Sequence, residues 1–229
     1  MNLAYIGFGK MGRAVEEAAR ERGHATGAVI DNPADWQDHA DALRRCDLAV
    51  EFSTPATAAG NIIRCLDLGI PVVSGTTGWH DRLDEVVSLC RQRQGALFVA
   101  SNFSIGMNIM FQLNRRLAEL MKDRADYRPS ISETHHVHKL DAPSGTAIVL
   151  ANDIAAISGS TPPIESHRVG EVPGIHEVVY DSAVDTLTLR HEAKSRKGLA
   201  LGAVLAAEFL VGRKGFFTMY DLLNDSPRA

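Results

Sequence analysis

Cysteine is scarce in this chain. Three occur, Cys46, Cys65 and Cys90. The number is odd and no Cys-x-x-Cys pair exists, which argues against a disulfide framework and a structural zinc site. They read as inert thiols of a reducing compartment. Positive charge is not in excess either. Lys and Arg number 24 against 28 Asp and Glu, a formal net charge of −4, so nothing favours nucleic acid or an anionic membrane as a partner. Long apolar runs are missing as well. No uncharged stretch of roughly 18 residues occurs, so no membrane-spanning helix is expected. The opening residues lack the basic-then-apolar pattern of a secretory leader. The expectation is a soluble, cytoplasmic protein.

What is present is ordinary globular material: 229 residues, 45% hydrophobic and 23% charged, enough for one or two domains. The first hundred residues alternate apolar runs (3–6, 25–30, 48–52, 71–74, 96–99) with helix-like segments (10–22, 56–68, 80–93) bounded by Gly, Pro, Ser or Thr. That alternation predicts a Rossmann-type, doubly wound parallel sheet, because strands buried on both faces read as continuous apolar runs. After residue 102 the rhythm changes. A long helix over 104–122, a strand over 128–137, a helix after Ser144, strands near 177–180 and 184–191, and a small-residue helix over 198–210 predict an α+β domain with an open, mixed or largely antiparallel sheet. Residues 160–174, rich in Pro, Gly and charge, read as a loop. No internal repeat or low-complexity segment appears.

Gly7-Phe8-Gly9-Lys10-Met11-Gly12 is a G-x-G-x-x-G between a predicted strand and a predicted helix, the context a dinucleotide site requires. Gly7 suits the tight turn, Gly9 the close approach of a pyrophosphate to backbone, and Gly12 the packing of helix on strand. The next strand ends at Asp31, where an acid would bind the adenosine ribose hydroxyls. Asn32 follows, not the Arg that would help bind a 2′-phosphate, so NADH is favoured over NADPH, although Lys10 or Arg13 could serve NADPH. The loops Phe52-Ser53-Thr54-Pro55 and Gly75-Thr76-Thr77-Gly78 sit at strand ends, where open α/β sheets bind ligands.

Residues 133–147, Glu-Thr-His-His-Val-His-Lys-Leu-Asp-Ala-Pro-Ser-Gly-Thr-Ala, hold the densest chemistry. His135, His136 and His138 admit metal ligation, a structural role or acid–base work. In an extended strand His136 and His138 share a face while His135 points away, so three ligands converge poorly and no metal is expected. By the same parity His135 and Lys139 share a face, pairing a group that titrates near neutrality with a cation that can protonate or bind an anion. Ser144 can cap the helix that follows. The first-turn amides of Gly145 and Thr146 would then receive a carboxylate, and a bound dicarboxylate is favoured.

Together these motifs resemble the 4-hydroxy-tetrahydrodipicolinate reductase (dihydrodipicolinate reductase) family of bacterial lysine and diaminopimelate synthesis. The resemblance runs through the glycine loop, Gly75-Thr76-Thr77-Gly78, Ser101-Asn102-Phe103-Ser104-Ile105-Gly106, and the His-His-x-x-Lys-x-Asp-Ala-Pro-Ser-Gly-Thr run. It continues in Ser166-His167-Arg168-Val169-Gly170, Gly174-Ile175-His176, His191-Glu192-Ala193 with Ser195-Arg196, and Phe216-Phe217-Thr218-Met219-Tyr220-Asp221-Leu222-Leu223. It implies that His135 is a proton donor and acceptor and Lys139 a proton donor. It implies that His136, Gly145 and Thr146 bind substrate, supported by Ser144 and Arg196. The cofactor, NADH or NADPH, would contact Gly7, Phe8, Gly9, Lys10, Met11, Gly12, Asp31, Gly75, Thr76, Thr77, Val99, Ala100, Ser101 and Asn102.

The implied reaction reduces a cyclic hydroxy-dicarboxylate to tetrahydrodipicolinate with loss of water. The implied assembly is a homotetramer joined through the second domain's sheet. The resemblance also implies a split into 1–103 with 197–229, the cofactor domain, and 104–196, the substrate-binding and oligomerisation domain. The chain departs from the family in three places. The stretch from Asp31 to Cys46 is short, Asn32 stands where a basic residue is frequent, and Gly198-Leu199 varies a stretch that often carries Phe. Rival readings are another two-domain NAD(P)-dependent reductase, such as an amino-acid or semialdehyde dehydrogenase, a histidine-based metal hydrolase, and a non-catalytic dinucleotide sensor.

Overall fold

The computed structural model describes residues 1–195 and 197–225. Arg196, read above as a substrate residue, lies outside the described residues. The chain forms two compact units, one from residues 1–105 and the segment after 196, the other from the residues between.

The first unit opens with β1 (Asn2–Ile6), α1 (Lys10–Glu21), β2 (Ala25–Ile30), the short helices α2 (Asp35–Asp38) and α3 (Ala40–Leu43), β3 (Leu48–Glu51), α4 (Pro55–Asp67) and β4 (Val72–Ser74). A 3-10 turn (His80–Arg82), α5 (Leu83–Gln92) and β5 (Ala96–Val99) complete this stretch. The strands pair in parallel. Their apolar residues alternate between two cores. Ala4, Ala49, Val72 and Leu97 pack on one face of the sheet, and Leu3, Leu48, Val73 and Phe98 on the other, so both faces are covered. The stretch that looked short for a cofactor domain, 31–46, is filled by α2 and α3, which bury Trp36 and Leu43.

The second unit runs from α6 (Ile105–Met121) through β6 (Arg128–His135), α7 (Gly145–Ser158), β7 (Ile164–Arg168), β8 (Ile175–Asp181) and β9 (Thr186–Glu192). Its sheet has the order β7-β6-β8-β9. β6 pairs with β7 in parallel, whereas β8 runs antiparallel to β6 and β9 antiparallel to β8. Two expectations are corrected here. Residues 160–174 are not all loop. β7 lies within them, reached from β6 by the α7 crossover that a parallel pair needs. The strand expected over 128–137 stops at His135. Beyond it the Val137 amide donates to Gly170 O (3.0 Å) and the Lys139 amide to His136 O (3.1 Å), which turns the chain.

After residue 196 the chain adds α8 (Lys197–Leu210), β10 (Gly215–Phe217) and α9 (Met219–Asn224) to the first unit. β10 pairs in parallel with β5 and becomes the edge strand. α8 presses so closely that a Cβ at Gly202 would lie 1.8 Å from Phe103 O. No helix among the described residues is long and apolar enough to cross a membrane.

Candidate active site

In the second unit the inward row of the sheet ends in chemistry. Glu133 on β6 faces His176 on β8, which faces His191 on β9. His135 lies two residues along β6 on the same face. Glu133 is fully buried and its carboxylate collects three kinds of donor. It is bonded to His135 Nδ1, it receives Arg168 Nη2 at 2.9 Å, and it receives the Ser144 amide at 3.3 Å. Burial acts to raise the Glu133 carboxyl, but Arg168 and His135 outweigh it and hold the group below the usual carboxylate range. Burial pushes His135 below the ordinary imidazole value, and Lys139 and Arg168 act in the same direction against the pull of Glu133.

With Nδ1 committed to Glu133, His135 presents Nε2 beside Gly174, where a Cβ would stand 3.1 Å from it. The backbone at Gly174 has φ +156°, so glycine is suited there on both counts. The His176 ring packs edge-on against His135 with centroids 5.0 Å apart. Its Nε2 meets Ser144 Oγ at 3.2 Å, while its buried Nδ1 lacks a hydrogen-bond partner. Burial is the main cause that takes His176 down to about 4.

Ser144 caps α7 as expected, its Oγ accepting from the Ala147 amide (3.2 Å). It is buried, and its hydroxyl also bridges to His176, so it works from beneath the site. Gly145, next in the chain, is exposed, and a Cβ added there would meet nothing within 4 Å. Thr146 follows, half-buried. Lys139 Nζ pairs with Asp141 Oδ1 at 2.8 Å. The Asp141 carboxyl is held low first by Lys139, with a further contribution from the Gly145 amide. An internal carboxylate therefore sits on two groups assigned above to a ligand carboxylate. Arg168 ties this turn to the buried cluster, donating from Nη2 to Asp141 O (2.6 Å) and from Nε to Lys139 O (3.3 Å).

The three histidines weighed as metal ligands do not gather. His138 is exposed and pairs with Glu171 at 3.1 Å, and the ring of half-buried His136 lies tilted against it, centroids 6.0 Å apart. Ligand atoms of a different trio, Glu133, His135 and His176, do lie within 4.8 Å of one another. Arg168 already neutralises that carboxylate, and His135 Nδ1 is already bonded to it. The cluster suits proton handling better than a divalent cation.

In the first unit, the glycine turn joins β1 to α1. Gly7 has φ +84°, and a Cβ there would lie 2.3 Å from Phe52 O; one at Gly12 would lie 2.4 Å from Gly7 O. Protein packing therefore accounts for both. Gly9 is different, because a Cβ there would meet nothing within 4 Å. Gly9 also precedes a helix start with no side-chain cap and no acid in its first turn. An open glycine before uncapped first-turn amides fits a phosphate.

Asp31 Oδ1 accepts from the Phe8 amide at 2.7 Å and, with Gly7, Gly9, Asn32, Trp36 and Arg64, lines a cavity of about 540 Å³. Lys10 is exposed in the first turn of α1 and Met11 half-buried, while Arg13 lies over the Phe8 ring at 4.6 Å. Thr76 is buried. Its hydroxyl donates to Glu51 Oε1 (2.9 Å) and accepts from the Ser53 amide (2.8 Å), so it braces the loop from inside. The same Glu51, fully buried, also receives Ser74 Oγ (2.6 Å) and Ser53 Oγ. Gly75 is filled from beneath by the Phe52 ring. Thr77 and Ser101 are exposed, Asn102 half-buried, and Val99 and Ala100 buried.

Glu133, Arg168, His176, Asp141 and Glu51 were not singled out from sequence. Strand parity with His135 could have flagged Glu133. Asp141, two residues from Lys139, could have been flagged by proximity of opposite charge. Arg168, His176 and Glu51 depend on which strands and loops meet, which one sequence does not display.

A family model described as dihydrodipicolinate reductase, N-terminus, matches residues 1–103, and one described as dihydrodipicolinate reductase, C-terminus, matches residues 106–223. A 4-hydroxy-tetrahydrodipicolinate reductase of Christiangramia forsetii is 42% identical over 237 residues, covering 98% of each chain. One of Akkermansia muciniphila is 34% identical over 94% of each. Among solved structures, the dipicolinate-bound dihydrodipicolinate reductase of Paenisporosarcina sp. TG-14 superposes with a TM-score of 0.81 at 23% identity, covering 95% of this chain and 97% of that one.

Proposed function

This chain belongs to the dihydrodipicolinate reductase family, and we propose that it reduces 4-hydroxy-tetrahydrodipicolinate to tetrahydrodipicolinate, with loss of water, at the expense of a reduced nicotinamide dinucleotide. The observation that carries the reading is the His135 cluster. A buried Glu133 orients an imidazole, and next to it the Lys139 ammonium and the Gly145 amide already hold a carboxylate, that of Asp141.

Gly7–Gly12, Asp31, Gly75–Thr77 and the 99–102 segment are the residues that would hold the cofactor. The open Gly9 and uncapped α1 amides fit its pyrophosphate. When bound, the cofactor supplies the hydride. The rest is done by the chain's own groups. Lys139 and the Gly145–Thr146 amides receive one substrate carboxylate, which takes the place of Asp141. His136 and Arg196 are assigned to substrate through the family likeness. Because burial disfavours its charged form, His135 rests neutral near neutral pH, and Lys139 is the proton donor to the ring atom beside the reduced carbon. His135 Nε2 serves as the acceptor that shuttles the proton. Orientation of the ring and neutralisation of its carboxylates supply most of the rate gain.

We also infer a cytoplasmic homotetramer. The side of the second sheet opposite the one on which α6 and α7 pack, with rows such as Ser130–Val179–Thr188, supports association there. Light scattering on the purified chain tests the assembly. The reaction is tested by following loss of reduced-nicotinamide absorbance while pyruvate and aspartate semialdehyde are condensed by a separate synthase. Oxidation that needs the synthase is the expected result. Nucleotide binding without oxidation would sink the substrate assignment.

A further inference from the structure

The segment after β2 carries a second inference, which rests on the nucleotide reading of the first unit. β2 delivers the chain to Asp31, whose carboxylate is pinned by the Phe8 amide at 2.7 Å. In sites that accept a 2′-phosphate, this corner offers backbone amides and a cationic side chain to the anion. Here the corner is already occupied from within. Asp35 Oδ2 accepts from the Asp31 amide at 2.7 Å and from the Asn32 amide at 3.0 Å. Asp35 Oδ1 accepts from Asn32 Nδ2 at 2.8 Å. Asn32 in turn spends its Oδ1 on the Ala34 amide, 2.9 Å away, and the Asp35 amide, 3.3 Å away. The donors that a phosphate would use are thus bonded to a carboxylate of the chain itself. A second carboxylate, Asp31, stands beside it.

The cations nearby have other positions. Arg13 lies over the Phe8 ring. Arg64, which lines the same cavity, lies with its guanidinium 4.4 Å from the centre of the Trp36 ring. That flat pair can support an adenine by stacking.

We propose that Asp35 is a specificity-determining residue: its carboxylate holds the amides of Asp31 and Asn32 and so excludes the 2′-phosphate of NADPH, leaving Asp31 to the ribose hydroxyls of NADH. A phosphate entering this corner would have to displace Asp35 and would then face two carboxylates in place of one cation. The unphosphorylated ribose needs neither change.

The test is direct binding, read by calorimetry on the whole protein with NADH and NADPH in separate titrations. The expected result is a Kd for NADH at least about tenfold below that for NADPH. Asp35→Ser should narrow that gap about fivefold or more, through tighter NADPH binding, with the NADH Kd held within about twofold. Because the serine could loosen the turn, Asp35→Asn is the companion. It keeps an acceptor for the amides, removes the charge, and should also narrow the gap. Equal affinities in the wild type, or a gap that neither variant changes, would overturn the proposal. Absence of binding by either nucleotide would overturn the nucleotide reading itself, an outcome distinct from loss of selectivity.

Discussion

One nitrogen of Arg168 bonds two things at once: the Glu133 carboxylate at 2.9 Å and the carbonyl of Asp141 at 2.6 Å. The first bond steadies the group that orients His135, and the second steadies the turn that carries Lys139. Arg168→Met removes both and leaves Glu133 buried without its main counter-charge. Losing one partner of such a pair costs roughly 2–4 kcal/mol here, below the fully buried case because the arginine is partly solvated. Urea unfolding measures that loss. Arg168→Lys keeps the charge without the fork, so it should recover more stability than turnover.

Glu133→Gln tests the orienting role separately. The amide is nearly isosteric, so the fold should persist while turnover falls about a hundredfold. Nucleotide affinity, measured by fluorescence, should not move. Glu133 raises the His135 value against burial. Its removal should therefore shift the acid limb of the pH–rate profile to lower pH. An unshifted limb would separate Glu133 from His135.

Lys139→Ala should lower turnover by about a hundredfold or more, with cofactor affinity changed less than about threefold. If cofactor affinity collapsed instead, the role assigned to Lys139 would be wrong. Asp141→Asn removes the internal competitor for the same ammonium, and a dicarboxylate such as dipicolinate should then bind more tightly in a calorimetric titration.

The two glycines of the turn should part company. Gly7→Ala places a Cβ into Phe52 O at a positive φ and should cost about 2 kcal/mol or more. Gly9→Val puts its Cβ where no protein atom lies within 4 Å and should change stability by about 1 kcal/mol at most. NADH affinity should nevertheless fall roughly tenfold or more, because the proposed binding mode puts the pyrophosphate in this open space. Thermal melts with and without NADH measure both quantities.

His176 sets a pH dependence of stability. Its value is depressed in the folded protein, from the ordinary 6.5 to about 4. The unfolded chain therefore binds the proton first as pH falls. The stabilisation from the neutral, buried ring is complete above pH 6.5 and is lost between there and about 4. Glu133, also depressed, adds its own loss below the ordinary carboxylate range. Urea midpoints measured from pH 7.5 to 4.5 should decline, and His176→Asn should flatten the decline. A wild-type curve flat across that window would contradict the burial argument.

The parallel sheet was legible from sequence because its strands are apolar on both faces, and the glycine turn because its spacing is tied to a strand–helix junction. His135, Lys139 and Ser144 were legible because residue type, order and a cap signal coincide. The rest depended on contacts distant in sequence. Arg168 reaches Glu133 across 35 positions, and β7 hid in a polar, glycine-rich stretch because an edge strand need not read as apolar. Extending strand parity to Lys139 overreached. β6 ends at His135, and the hydrogen-bonded turn after it, not the pleat, positions the lysine.

The late return of α8 and β10 to the first unit reverses the order in which the chain is made and finished. α8 supplies Ala200, Gly202, Ala203, Val204, Ala206, Ala207 and Leu210 to a core whose strands are synthesised long before it. The inserted unit holds all its strands in one uninterrupted stretch. On the ribosome the second unit can close first, while the nucleotide half waits, with one sheet face covered only in part, by α1, until residues 197–217 emerge. An elongating chain stalled before that point would expose an apolar surface to chaperones, so this half of the protein matures only after translation has passed its last strand.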